Sequence, residues 1–210
     1  MDAWLTELMA GTPLLAALGL AFLLGLRHAT DPDHLVAVTS LVAADDGNVR
    51  GARSLGAWWG VGHAGTLLAV GLPLIALKGA LPGWLERGAE TGVGIVILLL
   101  AARVIYRWRR PAHTHRLRSR RQALGIGMLH GLAGTGAVVV LLIAALPGRV
   151  EAAAALAVFA PMSVVSMAAC TSAFAWALTR PAVMPVYRVV LMPAMGLFGV
   201  LFGLWYVGLT

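Results

Sequence analysis

Between Arg27 and His34 the chain reads Arg-His-Ala-Thr-Asp-Pro-Asp-His, and five of these eight side chains can carry charge or bind a metal. Imidazoles beside carboxylates suit a divalent transition ion such as nickel, cobalt, zinc or iron. The stretch interrupts two apolar runs, Leu14–Leu26 and Leu35–Ala44. An ionisable group inside an apolar span costs roughly 2.5–3.5 kcal/mol. Such a cluster requires partners, a ligand or water. In a purely structural reading, Asp31 caps a helix with Pro32 at its first position. Arg27 then pairs with Asp31 or Asp33, and the histidines hydrogen-bond across helices. In a functional reading Asp31 keeps the cap while His28, Asp33 and His34 hold an ion. The functional reading is the stronger, because ionisable residues inside membrane spans mark function by default.

Two further histidines lie in apolar, Gly-rich surroundings. His63 sits within Trp59-Gly-Val-Gly-His63-Ala, and His130 opens His130-Gly-Leu-Ala-Gly-Thr-Gly136. Either could be a hydrogen-bonded core residue or a ligand. Gly131–Gly136 could serve close helix packing alone. Met162, Met167 and Cys170 could offer sulfur to a soft ion, but such residues more often fill the core. His113 and His115 stand in an Arg-rich loop and read as solvated. Trp58 and Trp59 read as lipid-facing or packing aromatics.

The elements that must position these groups are membrane spans. Hydrophobic residues make up 60% of the 210 and charged residues 12%, against about 45–50% and about 25% in soluble domains. With a mean hydropathy of +0.84, this is an integral protein of the lipid bilayer, read as one domain. The net charge of +7 does not point to nucleic acid, because seven arginines fall between Arg107 and Arg121. That clustering fits a cytoplasmic loop under the positive-inside rule. The single cysteine, Cys170, excludes an intramolecular disulfide and a multi-Cys zinc or iron–sulfur site. Met1–Gly11 carries Asp2 and Glu7 rather than a basic run, so no cleavable signal peptide is expected.

Pro13–Ala44 is too long for one upright helix and short for two, so a discontinuous element unwound near Thr30–Pro32 is expected. Further spans are expected at Ser54–Leu77, Thr91–Trp108, Gln122–Leu146, Ala152–Leu178 and Val189–Leu209. The fold class is therefore an all-α membrane protein with six to seven transmembrane helices. With the 109–121 loop cytoplasmic, the loops at 45–53 and 179–188 fall on the same side with Arg50, Arg53, Arg180 and Arg188. Lys78, Arg87 and Arg149 remain on the other.

The two halves repeat. Gly25-Leu-Arg-His28-Ala aligns with Gly127-Met-Leu-His130-Gly, and nearly the same offset lays Gly92–Leu100 over Gly196–Leu204 and His63 near Met167. The repeats run from about 13 to 108 and from about 122 to 209. An odd number of spans in each makes them run oppositely through the bilayer. Inverted repeats with broken helices near the midplane are a transporter architecture. Such an arrangement would bring His28, Asp33, His34 and His63, with His130 next, towards one interior point. Unwound carbonyls at Ala29–Asp31 and Gly131–Gly134 would add oxygen ligands.

His28-Ala-Thr-Asp-Pro-Asp33-His34 has the form H-x4-D-H. With Arg27 before it, it resembles the R-H-A-x-D-A-D-H signature of the nickel/cobalt transporter family, within the NicO superfamily. Gly62-His63 resembles the Gly-His pair of that family's second signature. His130-Gly-Leu-Ala-Gly-Thr-Gly-Ala137 is similar to the H-G-x-A-G-S/T-G-A stretch of its smaller, urease-accessory-like branch. Pro32 stands where the family usually has Ala, and the larger members' L-G-x-D-T-A-T-E signature is absent. The resemblance implies secondary uptake of Ni2+ or Co2+ across the bacterial inner membrane. It also implies that His28, Asp33 and His34 are the ligands, with His63 next.

The expected function is thus a secondary transporter, not an enzyme. Neutral His28, His34 and His63 would bind the ion, Asp33 and Asp31 would supply negative charge, and the two halves would rock. No prosthetic group is expected; the transported ion is the ligand. No G-x4-G-K-S/T motif occurs, so the energy must come from a gradient, the membrane potential or an external partner. A cytoplasmic metal-accepting protein is a further candidate partner. Two rivals remain. One is an exporter of a metal or small anion; Arg27 near the midplane would favour an anion, but the four nearby His and Asp residues favour a cation more. A membrane metalloenzyme would use Asp31 as general base, although no H-E-x-x-H motif supports it.

Overall fold

The computed structural model describes residues 14–31, 34, 35, 38, 42, 49–77, 82–109, 119–146 and 148–208. Among them the helices are α1 (Leu14–Arg27), α2 (Val49–Leu77), α3 (Gly83–Arg109), α4 (Arg120–Ala145), α5 (Arg149–Leu178) and α6 (Val183–Gly208). No strand occurs among the described residues. Helices α2, α3, α5 and α6 are long and apolar enough to cross a membrane. Helix α4 has 26 residues, as many as α6, and packs along α2. The protein is an all-α, multi-pass membrane protein.

Several helices outrun their expected limits. Helix α2 starts at Val49 rather than Ser54, and α3 starts at Gly83 rather than Thr91. Polar residues can extend a helix beyond the apolar core because each added turn keeps its backbone bonds internal. Glu86 in the first turn of α3 also meets the positive end of the helix dipole. Ser119 sets the start of α4 through a capping box. Its hydroxyl accepts from the Gln122 N–H at 3.3 Å, and its own N–H donates to Gln122 Oε1 at 3.0 Å.

The expected break after α1 is present. The helix gives way to a 3-10 turn at His28–Thr30, where Thr30 Oγ1 donates to the Arg27 carbonyl at 2.7 Å. Asp31 is extended, with ψ 147°, and its carbonyl accepts from the Leu35 N–H at 2.9 Å. His34 and Leu35 are helical again. The second expected break is not: α4 runs through His130–Gly136 without interruption. No proline interrupts that segment, and the Thr135 hydroxyl donates to the Gly131 carbonyl at 2.5 Å inside an intact helix. Carbonyls at Gly131–Gly134 are therefore engaged in helix bonding rather than unwound. Pro32, Asp33, His113, His115 and most of the basic loop lie outside the described residues.

Helix α2 is the hub. It packs most extensively along α4 and α5, while α1 lies on α5 and α3 lies on α6 and α4. Small residues permit these crossings, as expected where lipid removes the hydrophobic drive and close packing must replace it. A Cβ at Gly62 would collide with the Leu124 carbonyl, and one at Gly127 with the Trp59 carbonyl. At Gly60 it would stand 2.8 Å from Val164 Cα, and at Gly25 2.7 Å from the Phe159 carbonyl. Gly62 is thus a packing residue at the α2–α4 crossing.

Two apolar clusters fill the interior of this group. One includes Ala29, Trp59, Ala123 and Met167. The other includes Leu67, Val139, Leu156 and Phe159. Each long helix of the group carries polar groups between its contributions to the two. These are His63 on α2, His130 on α4, and Ser163 and Ser166 on α5, all buried. A third cluster, with Val93, Ile97 and Ala133, joins α3 to α4.

Candidate functional site

The polar layer between the two apolar clusters is where the histidines meet. His63 occupies the buried stripe of α2 one turn after Trp59 and one turn before Leu67. His28 is the first residue of the 3-10 turn, and the break swings its ring against α2. His28 Nε2 and His63 Nε2 are 3.0 Å apart. The rings of His28 and His34 have centroids 4.4 Å apart, and those of His34 and His63 5.5 Å. One nitrogen from each of the three falls within 4.8 Å of the others. Nitrogens on one divalent ion at about 2.1 Å can be no more than about 4.2 Å apart. In a tetrahedral site with bonds of about 2.1 Å the nitrogens lie about 3.4 Å apart, so the widest pair would close by roughly 1.4 Å for all three to reach one centre.

Burial grades across the group. The side chains of Arg27 and Asp31 are 71% and 37% exposed, and that of His28 is 15% exposed. His34 and His63 are buried. Asp31 Oδ2 lies 3.3 Å from His28 Nδ1. A carboxylate at that nitrogen favours the tautomer with Nδ1 protonated and leaves Nε2, the atom facing His63, as an electron-pair donor. Arg27 reaches the same carboxylate at 3.9 Å, a long and exposed contact of small energetic weight. Phe159 closes one side of His28, its ring centroid 5.2 Å away.

The 3-10 turn is held from a distance. Ser166 on α5 accepts from the Ala29 N–H at 3.3 Å and donates to the Leu26 carbonyl. One hydroxyl thus spans the point where α1 stops and His28 begins. Sequence reasoning did not single out Ser166, although the internal repeat laid its neighbour Met167 over His63. Trp59 was also undervalued. It is fully buried, with its ring 5.2 Å from His34 and 5.8 Å from His130, whereas Trp58 is 40% exposed. Met167 fills core beside Gly60.

His130 is buried and its ring lies 5.4 Å from that of His34. It stands outside the set of three whose nitrogens converge. The structure therefore gathers His28, His34 and His63, puts Asp31 beside His28, and sets the His130 ring against His34 and Trp59.

Comparison with known proteins gives two relatives. The chain is 32% identical over 143 residues to the urease accessory protein UreH of Bacillus sp. (strain TB-90), covering 61% of this chain and 62% of that protein. It is 32% identical over 105 residues to the hydrogenase nickel incorporation protein HupN of Bradyrhizobium diazoefficiens, covering 47% of this chain and 27% of that protein. The chain thus spans less than two thirds of either relative's length. No family model matches, and no solved structure matches. Neither relative's name is that of a catalytic enzyme.

Proposed function

We propose, from these homologues and their agreement with the nickel/cobalt transporter family in its smaller urease-accessory-like branch, that the chain is a secondary transporter of Ni2+ or Co2+. It takes the ion up across the bacterial inner membrane, with the basic 109–121 loop in the cytoplasm. The observation that carries this is the meeting of three imidazoles from separate elements within 4.8 Å, inside a polar layer bounded by apolar clusters. A bound ion would offset the desolvation of buried His34 and His63 and of the mostly buried His28. Imidazole nitrogen suits nickel and cobalt, and Asp31 supplies charge and orientation at His28. Asp33 is assigned the second carboxylate.

The apolar clusters on either side serve as the two barriers of an alternating-access cycle. In such a cycle one opens while the other stays shut, and water never bridges the membrane. The packing supports two structural repeats. Exchanging α1 with α4, α2 with α5 and α3 with α6 interchanges the contacts α1–α5 and α2–α4 and keeps α2–α5 and α3–α6, whereas α3–α4 has no comparable counterpart between α6 and α1 among the described residues. Arg27 would suit an anion, but it is 71% exposed, whereas His34 and His63 are buried and His28 is 15% exposed. That distribution favours a cation.

The test is accumulation of radioactive nickel and cobalt in cells carrying the wild type, His28→Ala or His63→Ala, with membrane levels of each protein matched. Accumulation that needs both histidines is expected. Metal depletion would reverse the direction to export, and accumulation indifferent to both residues would end the reading.

A further inference from the structure

Trp59 is the largest fully buried side chain among the described residues, at 0% exposure. Its indole Nε1–H is buried and has no hydrogen-bond partner among them. A buried indole N–H usually finds one, and leaving a buried donor unmade costs more than a made bond gains. Phe at this position would fill apolar space beside Ala29 and Met167 without that cost. The backbone cannot easily shift to relieve it. A Cβ at Gly127 would collide with the Trp59 carbonyl, and one at Gly60 would stand 2.8 Å from Val164 Cα, so α4 and α5 press on α2 at this level.

The surroundings point to the missing acceptor. Trp59 precedes His63 by one turn of α2. Its ring lies 5.2 Å from that of His34, tilted by only 32°. An N–H lies in the plane of its own ring, so the indole N–H runs within 32° of the His34 plane. An ion held by a nitrogen of His34 lies in that same plane, one layer below the indole. Three imidazoles do not complete the coordination of a divalent ion, and in sites with three protein ligands water takes the next position. Indole N–H is a donor only. It cannot ligate the ion, but it can bond an oxygen that the ion carries.

We propose that Trp59 Nε1–H donates a hydrogen bond to an oxygen ligand, water or hydroxide, of the divalent ion held by His28, His34 and His63. This rests on the transport reading of that site. The imidazoles bind the metal and Trp59 binds what is left of its hydration, so the cargo occupies the site partly hydrated. The bond forms only on loading, and it favours divalent ions that keep an oxygen beside three imidazoles over ions satisfied by protein nitrogen alone. No covalent bond is made or broken, and no proton or electron is transferred.

The experiment uses the full chain, purified with isotope-labelled tryptophan, as wild type, Trp59→Phe, Trp58→Phe and His63→Ala. Diamagnetic Zn2+ is the probe for NMR, Co2+ is the probe for affinity, and cells are assayed for cobalt accumulation. The Trp59 indole signal is identified by its loss in Trp59→Phe and by its slow exchange with water. On Zn2+ binding it should move downfield in both its proton and nitrogen dimensions, and His63→Ala should leave it in place. Trp59→Phe should bind Co2+ about three- to tenfold more weakly, the scale of one hydrogen bond. Trp58→Phe, at a position 40% exposed, should stay within about twofold of wild type, less than one hydrogen bond. Weaker binding in Trp59→Phe with an indole signal that Zn2+ does not move downfield would make Trp59 a packing residue and overturn the proposal. Trp59→Phe that binds Co2+ as tightly as wild type would overturn it as well. A moving signal and a weakened Trp59→Phe, in a protein whose wild type accumulates no Co2+, would support the hydrogen bond and remove the transport reading alone.

Discussion

Gly131→Ala is the substitution that best separates packing from chemistry. A Cβ there would lie 2.5 Å from the His63 carbonyl oxygen, 3.0 Å from Thr66 Cβ and 3.1 Å from the His63 carbonyl carbon. The first of these is about 0.9 Å short of the 3.4 Å at which ordinary contact begins. The obstacle is backbone, so no side chain can rotate away. Overpacking of this kind costs about 1–3 kcal/mol. The strain falls on the peptide that carries His63, and metal ligation tolerates only about 0.2 Å of misplacement. If half or more of that strain opposes the bound geometry, Ni2+ affinity drops between about twofold and a hundredfold, at about 1.4 kcal/mol per decade. Gly134→Ala is the internal control. Its Cβ would meet only His63 Cε1, at 3.9 Å, and alanine favours a helix over glycine by roughly 0.5–1 kcal/mol. Calorimetric titration of purified protein with Ni2+, together with thermal unfolding, measures both. Wild-type affinity in Gly131→Ala, or equal damage from Gly134→Ala, would refute the claim that the α2–α4 approach sets the position of His63.

Asp31→Asn should weaken Ni2+ binding by about tenfold, the low end for an orienting carboxylate because this one is 37% exposed. Calorimetry reads the change, and an unchanged affinity would remove Asp31 from the site. Ser166→Ala deletes the hydroxyl that bonds both Ala29 and Leu26, a loss of roughly 1–3 kcal/mol at about 0.5–1.5 per bond. Faster amide exchange confined to the turn after α1 is the expected result, with Ser166→Thr restoring protection. Protons compete with metal for imidazole, which titrates near pH 6.5 when free. With three imidazoles bound together, Ni2+ affinity of the purified protein should fall by up to about three decades per pH unit below about 6, and stay level above about 7.5. A flat profile across that range would exclude imidazole ligation.

The sequence alone determined that this chain lives in a membrane, and where its spans and its polar interruption lie. Composition and hydropathy are properties of short stretches, and an ionisable cluster at residues 27–34 stands out against apolar neighbours whatever the fold. The break after α1 was legible for the same reason, since Pro32 and the polar residues around it weaken a helix locally. The Gly-rich stretch after His130 misled, because glycine signals both an unwound backbone and a close crossing. Only the packing of α4 on α2 decides for the crossing. Tertiary structure also chose which face of each helix turned inward. Lipid is as apolar as the interior of a helix bundle, so hydrophobic periodicity, which marks the buried face of a soluble helix, is weak here. That is why Trp58 and Trp59 looked alike until one proved exposed and the other buried beside His34 and His130. It is also why Ser166, one hydroxyl on a helix more than a hundred residues from His28, could be recognised as the clamp on the 3-10 turn only once the helices were together.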